Sequence, residues 1–244
     1  MKNANEREKV DEVNEMVSVV IDIDDTLIDT KRRMKAIWHS VLGREVPLSA
    51  IGKLGLREIF VKYSSEEQKK SLQEHQRRFF ELLLCEDEVG VEFAQLDEPI
   101  PFAAEALQAW SRHCTIVYLT GRPETTRELT MAQLERFGFP TENVEMAMIA
   151  LDDWHKGRVN EARHELLSSI SQRHNFSRVV DDFPGYFTIY KQFDIPDRIG
   201  LLLSERHSPQ DFIDKGATRV IDSWETLVDD LPKCARVEGI RRRV

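Results

Sequence analysis

The sequence predicts a doubly wound α/β protein with a mostly parallel sheet and an α-helical segment inserted after the first strand. Three observations lead there. Short β-branched apolar runs recur along the chain, amphipathic helical patterns separate them, and one interval, residues 31–98, holds helical patterns but no strand. Strands that alternate with helices build a parallel sheet covered on both faces. With 244 residues, 41% of them hydrophobic, the chain can bury a substantial core. No run of apolar residues reaches the length of a membrane span. Residues 1–13 alternate acids and bases without an apolar block, so a cytoplasmic protein is expected. The net charge of −9 argues against a general nucleic-acid binder, which needs concentrated Lys and Arg to displace counterions.

The first element is residues 17–23, a β-branched apolar run ending in acids, which reads as a buried parallel strand. The same texture returns at residues 115–119, 144–150, 178–180, 199–203 and 218–221. Between these runs, residues 102–112, 124–137 and 156–173 place apolar side chains at three- and four-residue intervals, the helical period. The inserted interval carries helices at 31–42 and 66–85 around a glycine-containing stretch, 51–56. Glu98-Pro99-Ile100-Pro101 marks the return, because two prolines so close favour an extended connector. The expected division is a core of residues 16–30 and 99–231, a helical cap of 31–98, and charged terminal segments at 1–15 and 232–244. Cys85, Cys114 and Cys234 are widely spaced and odd in number, which suits free thiols. The Arg241–Arg243 run reads as a solvated tail.

Acids collect where the predicted strands end. Asp22 and Asp24 follow the first strand and share a face if its geometry continues. Such a group needs neutralising, and Mg²⁺, with its preference for hard oxygen ligands, is the simplest counter-charge. The same residues also read as an acid-rich turn capped by Asp25 or Thr26. Thr120 and Gly121 end the second run, where a hydroxyl and backbone amides can hold a phosphate oxygen, or where Thr120 can simply cap a helix. Asp181 and Asp182 end another apolar run and are able to complete a metal site. Lys156 opens the helix before that strand and is able to reach the same edge, although lysines at helix starts are commonly solvated. Asp152 and Asp153 suit a helix N-terminus, and Arg122 either meets a substrate or covers the turn before Pro123.

Together, Asp22-Ile23-Asp24-Asp25-Thr26, Thr120, Lys156 and Asp181-Asp182, in that order, resemble the four motifs of the haloacid dehalogenase superfamily of phosphohydrolases. The resemblance spans residues 16–227, and the place of the insertion is similar to the family's first cap type. It implies a Rossmann-like core and an Mg²⁺-dependent phosphatase. Asp22 is then the nucleophile and forms an aspartyl-phosphate, while Asp24 serves as general acid and base. Thr120, Gly121 and Lys156 hold the phosphoryl oxygens. The Asp22 carboxylate, the Asp24 carbonyl and Asp182 hold the ion, with Asp181 beside them. Asp24 and the second acidic pair point to phosphoryl rather than carbon–halogen chemistry. The implied substrate is a small phosphorylated metabolite. Two alternatives stay open: a phosphomutase on the same core, and a non-catalytic metal-binding or scaffold protein.

Overall fold

The computed structural model describes residues 17–232; the two charged terminal segments, Cys234 and the Arg241–Arg243 run lie outside them. The chain begins with β1 (Ser18–Ile21) and β2 (Ile28–Asp29) and then enters the insertion. There it forms α1 (Lys31–Leu42), α2 (Leu48–Ile51), α3 (Leu56–Tyr63), α4 (Glu66–Lys70), α5 (Leu72–Leu83) and α6 (Glu88–Ala94). It returns through β3 (Glu98–Pro99) to α7 (Ala103–Trp110), β4 (Thr115–Pro123), α8 (Arg127–Arg136) and β5 (Glu145–Ile149). The remaining elements are α9 (Leu151–His155), α10 (Val159–Ser171), β6 (Phe176–Asp181), α11 (Phe187–Gln192), β7 (Asp197–Leu201), α12 (Pro209–Lys215) and β8 (Arg219–Ile221).

Six of these strands form one parallel sheet in the order β5-β4-β1-β6-β7-β8. Each of the six predicted apolar runs contributes one strand. β1 is central because all four of its residues are buried, and alternation sends Val19 and Ile21 to one face and Val20 to the other. Helices cover both faces. One side packs Leu107, Trp110 and Trp224 against the sheet, and the other packs Leu167, Phe187 and Phe212. From β1 the chain crosses to β4 and on to β5, then returns past β1 to β6 and continues to β7 and β8, and such a reversal opens a crevice at the carboxyl ends of the strands.

The insertion adds a third apolar cluster of its own. Trp38 lies 4.7 Å from Phe60 and 4.4 Å from Phe79 between ring centroids, and all three rings are fully buried. The predicted helix over residues 66–85 breaks at Ser71 into α4 and α5, and α3 forms over Leu56–Tyr63, where the sequence predicts no helix. The expected extended return is β3, which pairs antiparallel with β2 through Ile28 opposite Pro99 and Asp29 opposite Glu98. Both connections of the insertion therefore run through one short ribbon. Among the described residues, no helix is long and apolar enough to cross a membrane.

Gly200 shows how tightly the second face is packed. A Cβ at this β7 position would overlap the fully buried Phe212 ring. Gly200→Ala is expected to cost about 1–3 kcal/mol by overpacking. Urea unfolding of the two proteins measures it directly, and an unchanged midpoint would show that the α12 packing yields.

Candidate active site

β1 ends at Ile21, so Asp22 to Asp25 leave the strand at the carboxyl edge of the sheet. The loop is shaped by Asp25, which sits at a left-handed φ of 56°. Its carboxylate accepts from the Thr30 amide at 3.1 Å and the Thr30 hydroxyl at 2.7 Å, and its own N–H donates to the Ile28 carbonyl at 2.7 Å. Asp181 and Asp182 arrive from the end of the neighbouring β6. The Thr26 hydroxyl accepts from the Asp182 amide at 3.1 Å and ties the two loops together. One carboxylate oxygen each from Asp22, Asp181 and Asp182 then lie within 4.8 Å of one another.

Their surroundings set the charge balance. Burial, and then the Asp181 charge, push the Asp22 carboxyl well above the usual carboxylate range, with Arg163 opposing them. Asp182 is raised by burial and by four neighbouring aspartates. Asp181 accepts from Arg163 Nη2 at 2.6 Å, from the Tyr190 hydroxyl at 2.6 Å and from the Phe183 amide at 2.8 Å. The Asp182 carboxylate has no cationic partner among the described residues. A set of hard oxygen donors whose most weakly partnered member has no cationic partner among the described residues and is crowded by aspartates fits a divalent cation such as Mg²⁺.

Lys156 does not join this group. Its helix was expected to run from 156 to 173, but Gly157, at a left-handed φ of 67°, ends the short α9, and the longer α10 starts afresh at Val159. Lys156 is left exposed at the end of α9, paired with Asp152 of the same turn. The cation that reaches the site is Arg163. It is fully buried, and its Nη2 lies 3.2 Å from Asp22 Oδ1 as well as bonding Asp181 and the Tyr190 hydroxyl. The Tyr186 ring covers its guanidinium at 4.0 Å. Its Nη1 is buried with no hydrogen-bond partner among the described residues. The sequence carries a signal for it: Val159, Ala162, Arg163, Leu167 and Ile170 fall on one stripe of α10, so the arginine stands on an apolar face.

Asp24 is clamped by two more arginines. Its Oδ1 accepts from Arg33 Nη2 at 2.6 Å and Arg122 Nη2 at 2.8 Å, and its Oδ2 from Arg122 Nε at 3.0 Å. Arg33 belongs to α1 of the insertion and Arg122 to the end of β4. Asp97, just before β3, lies 3.2 Å from Arg33 and 3.5 Å from Arg122, and Gln133 of α8 binds both Arg122 and Asp97. The buried network thus joins insertion to core. Burial alone would raise Asp24, but Arg122 and Arg33 overcome it and hold the carboxyl well below the usual range. Burial does prevail at Asp97, which is lifted to about 6. Thr120 is fully buried at the carboxyl end of β4, its hydroxyl accepting the Arg122 amide at 3.2 Å. Next to it, Gly121 lines a cavity of about 310 Å³ between insertion and sheet edge, on which Asp22, Asp24, Arg163 and Asp182 also open.

No protein-family model matches the sequence, and no curated protein matches it. Solved structures do. A haloacid dehalogenase-like family hydrolase from Streptococcus pneumoniae superimposes with a TM-score of 0.58 at 13% identity, over 87% of this chain and 97% of that one. The chain has the haloacid dehalogenase-like fold. Two further neighbours are described with different activities. A protein provisionally described as a phosphatase from Clostridium difficile matches at TM-score 0.61 and 19% identity, over 89% of this chain and 99% of that one. One provisionally described as a β-phosphoglucomutase from Thermotoga maritima matches at 0.55 and 17%, over 87% and 97%. At such identities the likeness concerns the fold, and the activity must be argued from the site.

The Asp24 and Asp97 shifts have opposite signs, which a pH series reads. Folding lowers the Asp24 pKa, so its contribution to stability is complete above the unfolded carboxylate range and is lost as pH falls below about 4. Asp24→Asn is expected to destabilise by about 1–2 kcal/mol at pH 7 and by less at pH 3. Folding raises Asp97, so its contribution is present below about 4 and is lost as pH rises through about 6. The deficit of Asp97→Asn therefore shrinks on going from pH 4 to pH 8. Urea midpoints of Asp24→Asn between pH 3 and pH 7, and of Asp97→Asn between pH 4 and pH 8, provide the check.

Proposed function

We propose that the protein is an Mg²⁺-dependent phosphohydrolase that cleaves a small phosphate monoester through an aspartyl-phosphate on Asp22. The observation that carries this reading is the setting of Asp22. It is a buried carboxylate that touches a fixed guanidinium, shared with Asp181, and lies close to the Asp182 carboxylate, which has no cationic partner among the described residues. A dianionic phosphate needs both kinds of positive charge to approach a carboxylate. The haloacid dehalogenase-like fold supports the same class of chemistry.

In this mechanism an Asp22 oxygen attacks phosphorus in line and the bond to the ester oxygen breaks, its electron pair staying on that oxygen, which takes a proton from Asp24 and leaves as the alcohol. Water then attacks the phosphorus of the acyl phosphate, releasing inorganic phosphate and restoring Asp22. Arg163 takes the place expected of Lys156. Its Nη2 orients Asp22, and its fixed positive charge beside the nucleophile offsets the negative charge that spreads over the phosphoryl oxygens. The Thr120 hydroxyl and the Gly121 amide complete the phosphoryl pocket. Asp22, Asp182 and the Asp24 carbonyl would hold the Mg²⁺, with Asp181 fixing Arg163 beside them. When bound, the ion offsets the mutual repulsion of carboxylates and phosphate.

Asp24 has two tasks, and its clamp favours one of them. Held ionised by Arg33 and Arg122, it is prepared to take a proton from the attacking water. Giving a proton to the leaving oxygen first requires a looser grip. Arg33 lies on the insertion, so residues 31–98 act in this reading as a cap whose movement both opens the cavity and changes the hold on Asp24. The phosphomutase reading rests on the likeness to the Thermotoga maritima protein; release of inorganic phosphate rather than its transfer to a second hydroxyl separates the two. A cytoplasmic site of action fits this reading.

Asp22→Asn is expected to lower phosphate release by roughly 10³-fold or more while the melting curve stays that of the wild type, since the change removes the nucleophile and almost no volume. Wild-type turnover in the folded variant would overturn the mechanism. Asp182→Asn should raise the Mg²⁺ concentration for half-maximal activity by roughly tenfold or more. Titrations of Mg²⁺ against activity in variant and wild type give that ratio.

A further inference from the structure

The cavity over Asp22 is polar at its floor and apolar along its walls. Met34 and Leu83 descend from the insertion, Leu129 comes from α8, Trp154 from α9, and Phe183 and Tyr186 follow Asp182. None of these six side chains is buried in the protein as it stands. Apolar side chains from four separate segments thus leave uncovered surface around one small space, next to the reactive carboxylate.

The charged groups on the same walls offer little to a further polar ligand. Arg122 spends its donors on Asp24, Thr130 and Gln133, and Arg33 faces Asp24 and Asp97. Asp25 Oδ1 accepts both the amide and the hydroxyl of Thr30. Trp154 is fixed in the same way, since its indole N–H donates to the Gly121 carbonyl at 2.6 Å, which presents only the ring's carbon surface to the cavity. A ligand hydroxyl entering between these apolar walls would give up water and meet few free partners besides the carboxylates near the reactive floor. A hydrocarbon group would lose nothing and would cover exposed carbon. The volume, about 310 Å³, stands at the small end of ligand pockets and suits a phosphate with one compact group.

We infer that the substrate is a phosphate monoester with a compact, apolar leaving group of aromatic or branched aliphatic character, not a sugar phosphate, and that Trp154 and Leu129 determine this preference. The inference rests on the phosphohydrolase reading for the direction of approach: phosphate toward Asp22 and Arg163, leaving group toward the apolar walls.

The test compares benzyl phosphate with glucose 6-phosphate. Both are esters of primary alcohols, so their intrinsic reactivities are close and the ratio of kcat/KM reports the pocket. Benzyl phosphate should be favoured by roughly tenfold or more, and Trp154→Ala and Leu129→Asn, on different helices and each checked by its melting curve, should bring the ratio toward one. A second arm needs no turnover: calorimetry in Mg²⁺ with benzylphosphonate, whose C–P bond resists hydrolysis, against inorganic phosphate. The phosphonate should bind wild-type protein roughly tenfold or more tightly than phosphate, and Leu129→Asn should reduce that margin. Equal or better turnover of glucose 6-phosphate would overturn the substrate class and leave the phosphatase standing. No turnover of either ester, with the phosphonate bound as expected, would keep the pocket and remove the hydrolytic reading. A phosphonate bound no better than phosphate would overturn the inference outright.

Discussion

The carboxyl edge of the sheet is organised by the cost of crowding carboxylates away from water. Asp22, Asp181 and Asp97 are buried, with Asp24 and Asp182 close by, and an unpaired charge in such a place costs several kcal/mol. The positive charge that compensates them comes from three buried arginines on three different elements: Arg33 of α1, Arg122 of β4 and Arg163 of α10. Each arginine is itself tolerable in the interior only because of the acids. The packing of α10 against the sheet and the seat of the insertion on the core are therefore set in part by electrostatics, in addition to the apolar contacts beneath.

The compensation is uneven, and the unevenness has chemical content. Asp24 is held by two guanidiniums and Asp181 by a guanidinium, a phenol and an amide, so both are kept in fixed geometry. Asp22 shares one contact with Arg163, and the Asp182 carboxylate, crowded by aspartates, has no cationic partner among the described residues. Positive charge is thus complete where a carboxylate must be oriented and incomplete where a cation and a phosphate would enter. A site fully neutralised by its own side chains would leave neither of them a reason to bind.

Much of this was legible in the sequence. The six strands were visible because a parallel sheet buried on both faces demands continuous β-branched runs, and the acids at their ends stood out against that background. Boundaries were less readable. β4 runs on to Pro123 because its pairing with β5 resumes after an irregularity at Thr120, a matter of partner geometry that no single strand displays. Lys156 was misplaced because the pattern of 156–173 does not reveal that Gly157 turns left-handed and stops one helix before another begins. Arg163 was readable in principle, as a cation on an apolar stripe, but the lysine nearer the helix start masked it. The Arg33–Asp24–Arg122–Asp97 network was not readable at all. Its members lie far apart along the chain at no characteristic spacing, and only the folding of the insertion onto the core brings them together.

The β2–β3 ribbon gives the molecule a seam. Ile28 pairs with Pro99 and Asp29 with Glu98, so the residues at which the chain departs and returns are neighbours across a single ladder. Everything between them hangs from two adjacent points and has a core of its own around Trp38. In topological terms the insertion is an overgrown hairpin loop, and a turn of two residues has the reach to replace it. Segments of quite different length can be accommodated at this seam without altering the register of β1, because the distance to be spanned is that between two paired strands whatever the segment contains.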